Sequence, residues 1–386
     1  MLPIPAAALD ALTGACGRPY RAEWTNDGGR SWAPCGVVAG SAQVQASRTQ
    51  TVRYTASATL TDVPLGRHGI NPISTNVRLW QGITAARTDT VWVPAGRYTV
   101  NRPKTAPGGI QVELDGLEDE IAAAKFPVPR ALGPDTARAL AETLLGEALP
   151  GVPVTWRPGV APDTPIPVFV ADEDRWAVLA GGTDTSGAET GIAAALAAEL
   201  YVSARGVATF GPVPTLADPV VWRIGRGTGG ALVEPQPEQT AEGLVNLWSV
   251  SGDAGDGAAA VGPIHAWDDD PGSLTYAGPD PVTDPGAPQR DGLTWVRVRS
   301  ARYTSALITD PAQAYEVAHA RLADSLGVQN SLTVAAACNP ALEPGDVIEV
   351  ETLPGVWERH LVDQLSYTLG AASMSCTTRT TARRLT

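Results

Sequence analysis

The stretch DPAQAYEVAHARLADSLGVQNSLTVAAACNPALEPGDVIEV, Asp310 to Val350, reads as a helix, a strand, a tight turn and a returning strand. Asp310 supplies an N-cap acceptor, Pro311 fits the first helical position, and Gln313 stands where a capping box places its second member. Tyr315, Ala318, Leu322 and Leu326 recur at helical spacing and predict one buried stripe, and Gly327 stops the helix. Beyond it, Leu332, Val334 and Ala336 alternate with Ser331, Thr333 and Ala335, the period of a half-buried strand. In Glu343-Pro344-Gly345-Asp346, proline and glycine occupy the central positions of a type II turn, so the chain reverses into Val347-Ile348-Glu349-Val350. None of these residues is chemically unusual; the segment is architecture.

At 386 residues the chain exceeds one ordinary core and favours two or three domains. Forty glycines and 33 prolines are scattered between short alternating runs, which means many turns and a β-rich fold. The formal charge of -13 argues against a protein that wraps nucleic acid, though not against a surface along which DNA passes without sticking. No apolar run approaches the roughly 20 residues of a membrane helix; the longest candidate, 191–202, is broken by Glu199. A basic start is missing and Asp10 intervenes, so no signal peptide is expected, and Thr13-Gly14-Ala15-Cys16 only faintly resembles a lipoprotein box. Synthesis and folding in a cytoplasm are expected. Cys16, Cys35, Cys338 and Cys376 form no CxxC pair, so reduced thiols are expected, with a Cys16–Cys35 bridge left open.

In chain order, residues 1–117 read as an antiparallel β unit, a small barrel or sandwich. Its strands are expected at 18–24, 41–47, 51–61, 77–81, 89–93, 97–101 and 110–114, with a turn at Asn26-Asp27-Gly28-Gly29. Residues 118–219 read as an α+β insert. Helices are expected at 116–124, 134–149, 172–180 and 188–198, a buried strand at 166–170, and a hairpin turning at Arg205-Gly206. Residues 220–386 form a second β unit with strands at 220–224, 231–234, 244–250, 295–299, 356–361, 364–369 and 374–379. It contains the helix 311–326 and a long loop insertion over 252–292, whose Pro/Gly/Asp-rich part runs from Asp268 to Gly292. The fold class is therefore α+β, predominantly β.

Candidate chemistry is sparse. Gly225-Arg226-Gly227-Thr228-Gly229-Gly230 lacks the ending of a phosphate loop and precedes a strand, so a hairpin loop is expected. Asp268-Asp269-Asp270 could offer oxygens to a hard cation, but the spacing is not that of a calcium loop and a solvated turn is favoured. His68, His265, His319 and His360 fall in no paired metal spacing. Cys338 with His360 is a poor thiol protease pair, because no helix N-terminus stands at Cys338 to lower its pKa. There is no GxSxG elbow; carboxylates paired in space as in a glycosidase stay open. No residue is assigned to catalysis, and no cofactor or metal is expected.

Several motifs, in order, resemble the hub protein of tailed-phage tail tips, the family of contractile baseplate hubs and of the N-terminal region of siphophage tail-associated proteins. They are Gly40-Ser41-Ala42-Gln43-Val44, Thr59-Leu60-Thr61-Asp62, Pro94-Ala95-Gly96-Arg97-Tyr98-Thr99-Val100 and Leu114-Asp115-Gly116-Leu117. Later come Asn246-Leu247-Trp248-Ser249-Val250-Ser251-Gly252, Trp267-Asp268-Asp269-Asp270-Pro271, the helix from Asp310, and Leu342-Glu343-Pro344-Gly345-Asp346-Val347-Ile348. The resemblance implies two tail-tube-like barrels per chain and a homotrimeric ring at the distal end of the virion tail. That ring would join a six-fold tube to a three-fold tip. It also implies contacts with the distal tail protein ring, the tape-measure protein and a tip or fibre protein, and passage of double-stranded DNA through the lumen without specific binding or membrane insertion. Two readings of other classes stand beside it. One is a tail-associated cell-wall hydrolase; the other is a carbohydrate-binding tail protein, for which the eleven tryptophans would supply stacking faces.

Overall fold

The computed structural model describes the chain except for residues 86–88, 184–188, 228–230, 240–243, 254–260, 274, 287–288, 291–292, 295–296, 327–329 and 381–386. Within residues 310–350 the expected elements are present: the helix Pro311–Leu326 and the strands Asn330–Ala337 and Val347–Leu353. Asp310 Oδ1 accepts from the Gln313 N–H at 2.9 Å, which forms the N-cap half of the box, while Gln313 Oε1 reaches one residue further back, to the Thr309 N–H at 2.9 Å. Gly345 has φ +93°, as the third position of a type II turn requires. The stripe is rotated from its expected place: Ala314, Val317, Ala318, Leu322 and Ser325 are buried, whereas Tyr315 is 50% exposed with its ring 4.1 Å from His319. The cause is the partner surface. The helix packs on a separate three-stranded sheet, in the order Ile264–Trp267, Leu247–Gly252, Ser300–Ser305, where it joins Val250, Ala266, Tyr303 and Ile308 in one core. Gly327, the expected stop, lies outside the described residues.

Alternating strands close the first unit. Gln43–Ser47 pairs with Tyr54–Thr61, and from there the ladder runs through Ala33–Val37, Tyr20–Thr25, Asn76–Ile83, Val91–Val100 and Gly109–Gly116 back to Tyr54–Thr61. Every pairing is antiparallel, and the last one completes a six-stranded barrel. Ala58, Leu60, Val77, Leu79, Tyr98, Val100, Val112 and Leu114 fill it, one apolar residue in two along each strand. The strands expected at 89–93 and 97–101 are a single strand. Its register shifts opposite Leu79 and Trp80, where Gly96 at φ +141° lets the backbone bulge. An unexpected short helix, Ala6–Ala11, packs Ala8 against Ile83, Val93 and Ala341.

The second unit has six strands in the order Val220–Ile224, Val347–Leu353, Val356–Thr368, Ser373–Thr380, Asn330–Ala337, Leu232–Gln239. Only the first pair is parallel. The strands expected at 356–361 and 364–369 are one 13-residue strand, with a register shift between Val362 and Gln364. Its second half also pairs with Gln43–Ser47, register Gln45 opposite Ser366, so one continuous ladder joins the two units and a single core spans both. Of the strand expected at 295–299, Trp295 and Val296 are outside the described residues and the remainder is not in a strand. The strand lies at Ser300–Ser305, after Asn246 has fixed the backbone of Arg299 on both sides.

Between the units, helices Glu118–Ala123, Ala137–Ala148 and Arg175–Ala180 cover a sheet in the order Val154–Trp156, Ala208–Pro212, Ala198–Val202. Thr136 and Asp174 cap two of these helices, accepting from Ala139 N at 3.2 Å and Ala177 N at 3.0 Å. Ala137, Leu140, Ala141, Leu144 and Leu145 face the core as their spacing predicts, and Gly206, at φ +75°, turns the hairpin. Two expectations fail here. The segment 166–170 is not a buried strand but two short pieces, Pro165–Ile166 and Phe169–Ala171, with Val168 and Val170 exposed. In the described part of the alanine-rich run expected to be helical, 189–198, only Ile192–Ala195 is helix, because Gly191 at φ +140° and Ala197 at φ +52° bound a single turn.

Candidate functional site

The motifs singled out for chemistry serve as joints. The glycine-rich loop is not the expected hairpin, because its flanking strands pair elsewhere, Val220–Ile224 with Val347–Leu353 and Leu232–Gln239 with Asn330–Ala337. Arg226 donates its N–H to Glu351 Oε2 at 2.7 Å and its Nε to Glu351 O at 2.9 Å, which pins the loop to the hairpin of Val347–Leu353; residues 228–230 lie outside the described residues. Asp268 is buried, and its Oδ2 accepts from Ser273 Oγ and Thr275 Oγ1, both at 2.5 Å, while Asp270 Oδ1 accepts from Gly272 N at 2.8 Å. Those bonds occupy the carboxylates in a self-satisfied turn. Among the described residues no group of three or more His, Cys, Asp or Glu is placed to hold a metal. Asn246 is wholly buried; its amide donates to Thr275 O at 3.0 Å and accepts from Arg299 N at 2.7 Å, so it ties that turn to the three-stranded sheet.

Burial pushes the Cys338 thiol up to about 12, the wrong direction for a nucleophile. His360 is buried and its pKa is lowered by that burial against the pull of Glu358; its Nδ1 lies 2.9 Å from Thr378 Oγ1. Cys16 and Cys35 are free thiols. A pair that spacing did not reveal is Ser249 and His265, opposed on adjacent strands with Oγ 2.8 Å from Nδ1. Among the described residues no carboxylate stands on the other ring nitrogen, where a catalytic triad would place its third member. No helix of the described residues is long and apolar enough to cross a membrane.

The densest charge cluster stands where both β units, the insert and the long helix meet. Arg48 follows the strand Gln43–Ser47; its Nε lies 2.8 Å from Glu199 Oε2 in the insert, and its Nη1 2.7 Å from Asp324 Oδ1 on the helix. Arg379, from the last strand, reaches the same Asp324 oxygen at 2.6 Å and Asp363 Oδ1 at 3.3 Å. Arg53 approaches Glu199 Oε1 at 3.3 Å, donates to Pro344 O at 3.0 Å in the type II turn, and lies 3.8 Å from the Tyr201 ring centre. All three arginine side chains are at most 10% exposed. Burial disfavours the Arg48 cation, but Glu199 and Asp324 outweigh it and its pKa rises. Burial likewise raises the Asp324 carboxyl, and Arg48 and Arg379 more than reverse that, holding it below the usual carboxylate range. The cluster can do no chemistry of its own; it fixes how four parts of the chain sit against one another. Beside it, Glu118 is 1% exposed, accepts from Val202 N at 2.9 Å, and is raised to about 7 by burial.

A second grouping lies on the outer wall of the first barrel. The Arg21 guanidinium stands 4.6 Å from the Trp92 ring centre and 5.0 Å from that of Trp80. Arg78 lies 4.3 Å from Trp32 and 5.7 Å from Trp80, and Arg97 lies 5.6 Å from Trp32. Three arginines and three tryptophans thus alternate along one strip, with Arg21 opposite Trp80 and Glu23 opposite Arg78 in the strand register. Sequence spacing could not reveal the strip, because its members come from four separate segments.

No protein-family model matches the chain, and no curated protein matches its sequence. Solved structures do match its fold. A tail protein from Neisseria meningitidis is 9% identical and aligns over 94% of this chain and 96% of its own, with a TM-score of 0.56. The 43 kDa tail protein of prophage MuSo2 from Shewanella oneidensis is 10% identical over 94% and 98%, TM-score 0.54. A prophage tail protein from Listeria monocytogenes is 8% identical over 93% and 94%, TM-score 0.51. At such identities the likeness is one of fold, and it runs through both β units and the insert. The chain has the fold of phage tail proteins.

Proposed function

We propose that this chain is a non-enzymatic structural hub of a phage tail tip or phage-derived injection particle. It acts as a homotrimer that joins a six-fold tube to a three-fold tip and lets DNA pass. The observation that carries the reading is the ladder between Gln43–Ser47 and Val356–Thr368, which joins a closed barrel and a second six-stranded unit through one continuous sheet and a shared core. Three such copies around an axis present six β units, and a closed ring of that kind limits its own size. The tail-protein fold supports the same reading. The chain divides into a first tube-like unit, 1–117, an insert, 118–219, and a second tube-like unit, 220–386. Its neighbours are the distal tail ring, the tape-measure protein and a tip or fibre protein, and its place is the distal end of the tail.

The tryptophans favour the hub over a carbohydrate-binding module. Trp32, Trp80, Trp92, Trp156, Trp248 and Trp357 each lie within 6 Å of an arginine guanidinium, which takes up a face that a sugar ring would need. The test is the copy number and position of the chain in a cryo-electron-microscopy map of the intact particle. Three copies around the axis at the distal end are expected. Six copies, or a peripheral position, would overturn the hub. Clearing of host cell wall in a zymogram by the purified chain would move the function to the hydrolase.

A further inference from the structure

We infer that the arginine–tryptophan strip on the first barrel is the face by which one copy of the chain grips the next. The inference rests on the hub reading and adds the surface and the chemistry of the contact. Arg21 is exposed between the rings of Trp80 and Trp92, while Glu23 fixes Arg78 and accepts from Trp80 Nε1 at 3.3 Å. Stacked in this way, long side chains are ordered before binding and lose little freedom when covered. Tryptophan and arginine are also the residues that carry most of the energy at protein interfaces.

Charge identifies the occupant. Residues 1–117 hold eleven Lys and Arg against seven Asp and Glu, a formal charge of +4, whereas the rest of the chain holds 17 against 34, a charge of -17. Two basic strips facing each other would repel, so a two-fold dimer through this face is disfavoured. A head-to-tail ring instead sets one surface against a different one on the next copy. The basic strip of one copy against the acidic insert or second unit of its neighbour satisfies both the charge and the geometry.

The experiment is sedimentation of the full chain at 50 and 500 mM salt, with circular dichroism to verify folding. The variants are Arg21→Glu, Trp92→Ala and, as an equal charge change on an exposed residue off the strip, Lys104→Glu. The wild type is expected as a trimer that dissociates at least tenfold more readily at high salt. Arg21→Glu and Trp92→Ala should each weaken association tenfold or more, and Lys104→Glu less than twofold. Trp92→Ala keeps the test decisive if Arg21→Glu does not fold. A wild-type trimer unaffected by both strip variants would overturn the assignment and leave the hub standing. A wild type that stays monomeric would count against both. An equal loss in Lys104→Glu would reduce the effect to net charge and refute the strip. A shift of duplex DNA abolished by Arg21→Glu would give the strip to nucleic acid instead.

Discussion

Replacing Glu199 by alanine should loosen the insert from both β units at once. The carboxylate, 20% exposed, lies within 4 Å of Arg53 and is one of two that do so for Arg48; Glu343 and Glu118 act on Arg53 from further away. Cutting one side of a buried ion pair costs about 3–5 kcal/mol when nothing replaces it. Here Arg48 keeps Asp324 at 2.7 Å, and Arg53 keeps Pro344 O and the Tyr201 face, so the expected loss falls to about 2–3 kcal/mol. The assay is urea unfolding followed by tryptophan fluorescence, with Trp156 and Trp176 reporting the insert. With a slope of about 1–3 kcal/mol per molar, the insert transition should move down by roughly 1 M or more. Glu199→Gln, which keeps the shape and one acceptor, should lose less. A double-mutant cycle with Arg48→Met should give a coupling above about 1 kcal/mol. A change below about 0.5 kcal/mol in Glu199→Ala, with no coupling to Arg48, would refute the view that this cluster holds the parts together.

Two further outcomes follow from single residues. The Glu118 carboxyl is raised from 4.5 to about 7 by burial, so the folded chain holds that proton more tightly than the unfolded one. Its contribution to stability is full below pH about 4.5 and is lost as pH rises through about 7; Glu118→Gln should therefore stabilise the chain at pH 8 by on the order of 1–3 kcal/mol, change little at pH 5, and flatten the denaturation profile between them. Gly345→Ala should cost about 1–2 kcal/mol by thermal unfolding, because φ +93° is strained for any side chain and the new methyl would lie 3.3 Å from Pro214 Cγ.

Local signals were legible. The N-cap bond between Asp310 and Gln313, the type II turn at Pro344-Gly345, the hairpin at Gly206 and the apolar face of Ala137–Ala148 each depend on residues within a few positions of one another. What failed depended on partners far along the chain. Tyr315 has helical spacing, but which stripe is buried was decided by a sheet built from residues 247–305. Pro94 and Gly96 read as a break, yet pairing with Asn76–Ile83 carries the strand through them as a bulge. The helix Ala6–Ala11 has no side-chain cap; it is held by packing and, through the segment before it, by the amine of Met1 on Asp346 and the Leu2 N–H on Ala341 O, all far along the chain. The ionic junction had no signature at all, since Arg48, Glu199, Asp324 and Arg379 stand in four different segments and each looks like an ordinary surface charge.

The ladder between Gln43–Ser47 and Val356–Thr368 also governs the order of events at the ribosome. Gln45 and Ser366 are about 320 residues apart, so the first β unit emerges with one strand edge uncovered and waits about 15–60 s, at ordinary rates of synthesis, for the segment that will cover it. Until then that edge is a template for any other nascent chain. Closure of the two units therefore comes late, after residue 368 has been made, and is slowed by the long loop that must be closed to make it. Chains halted before residue 356 should aggregate through the open edge, and molecules released whole should not.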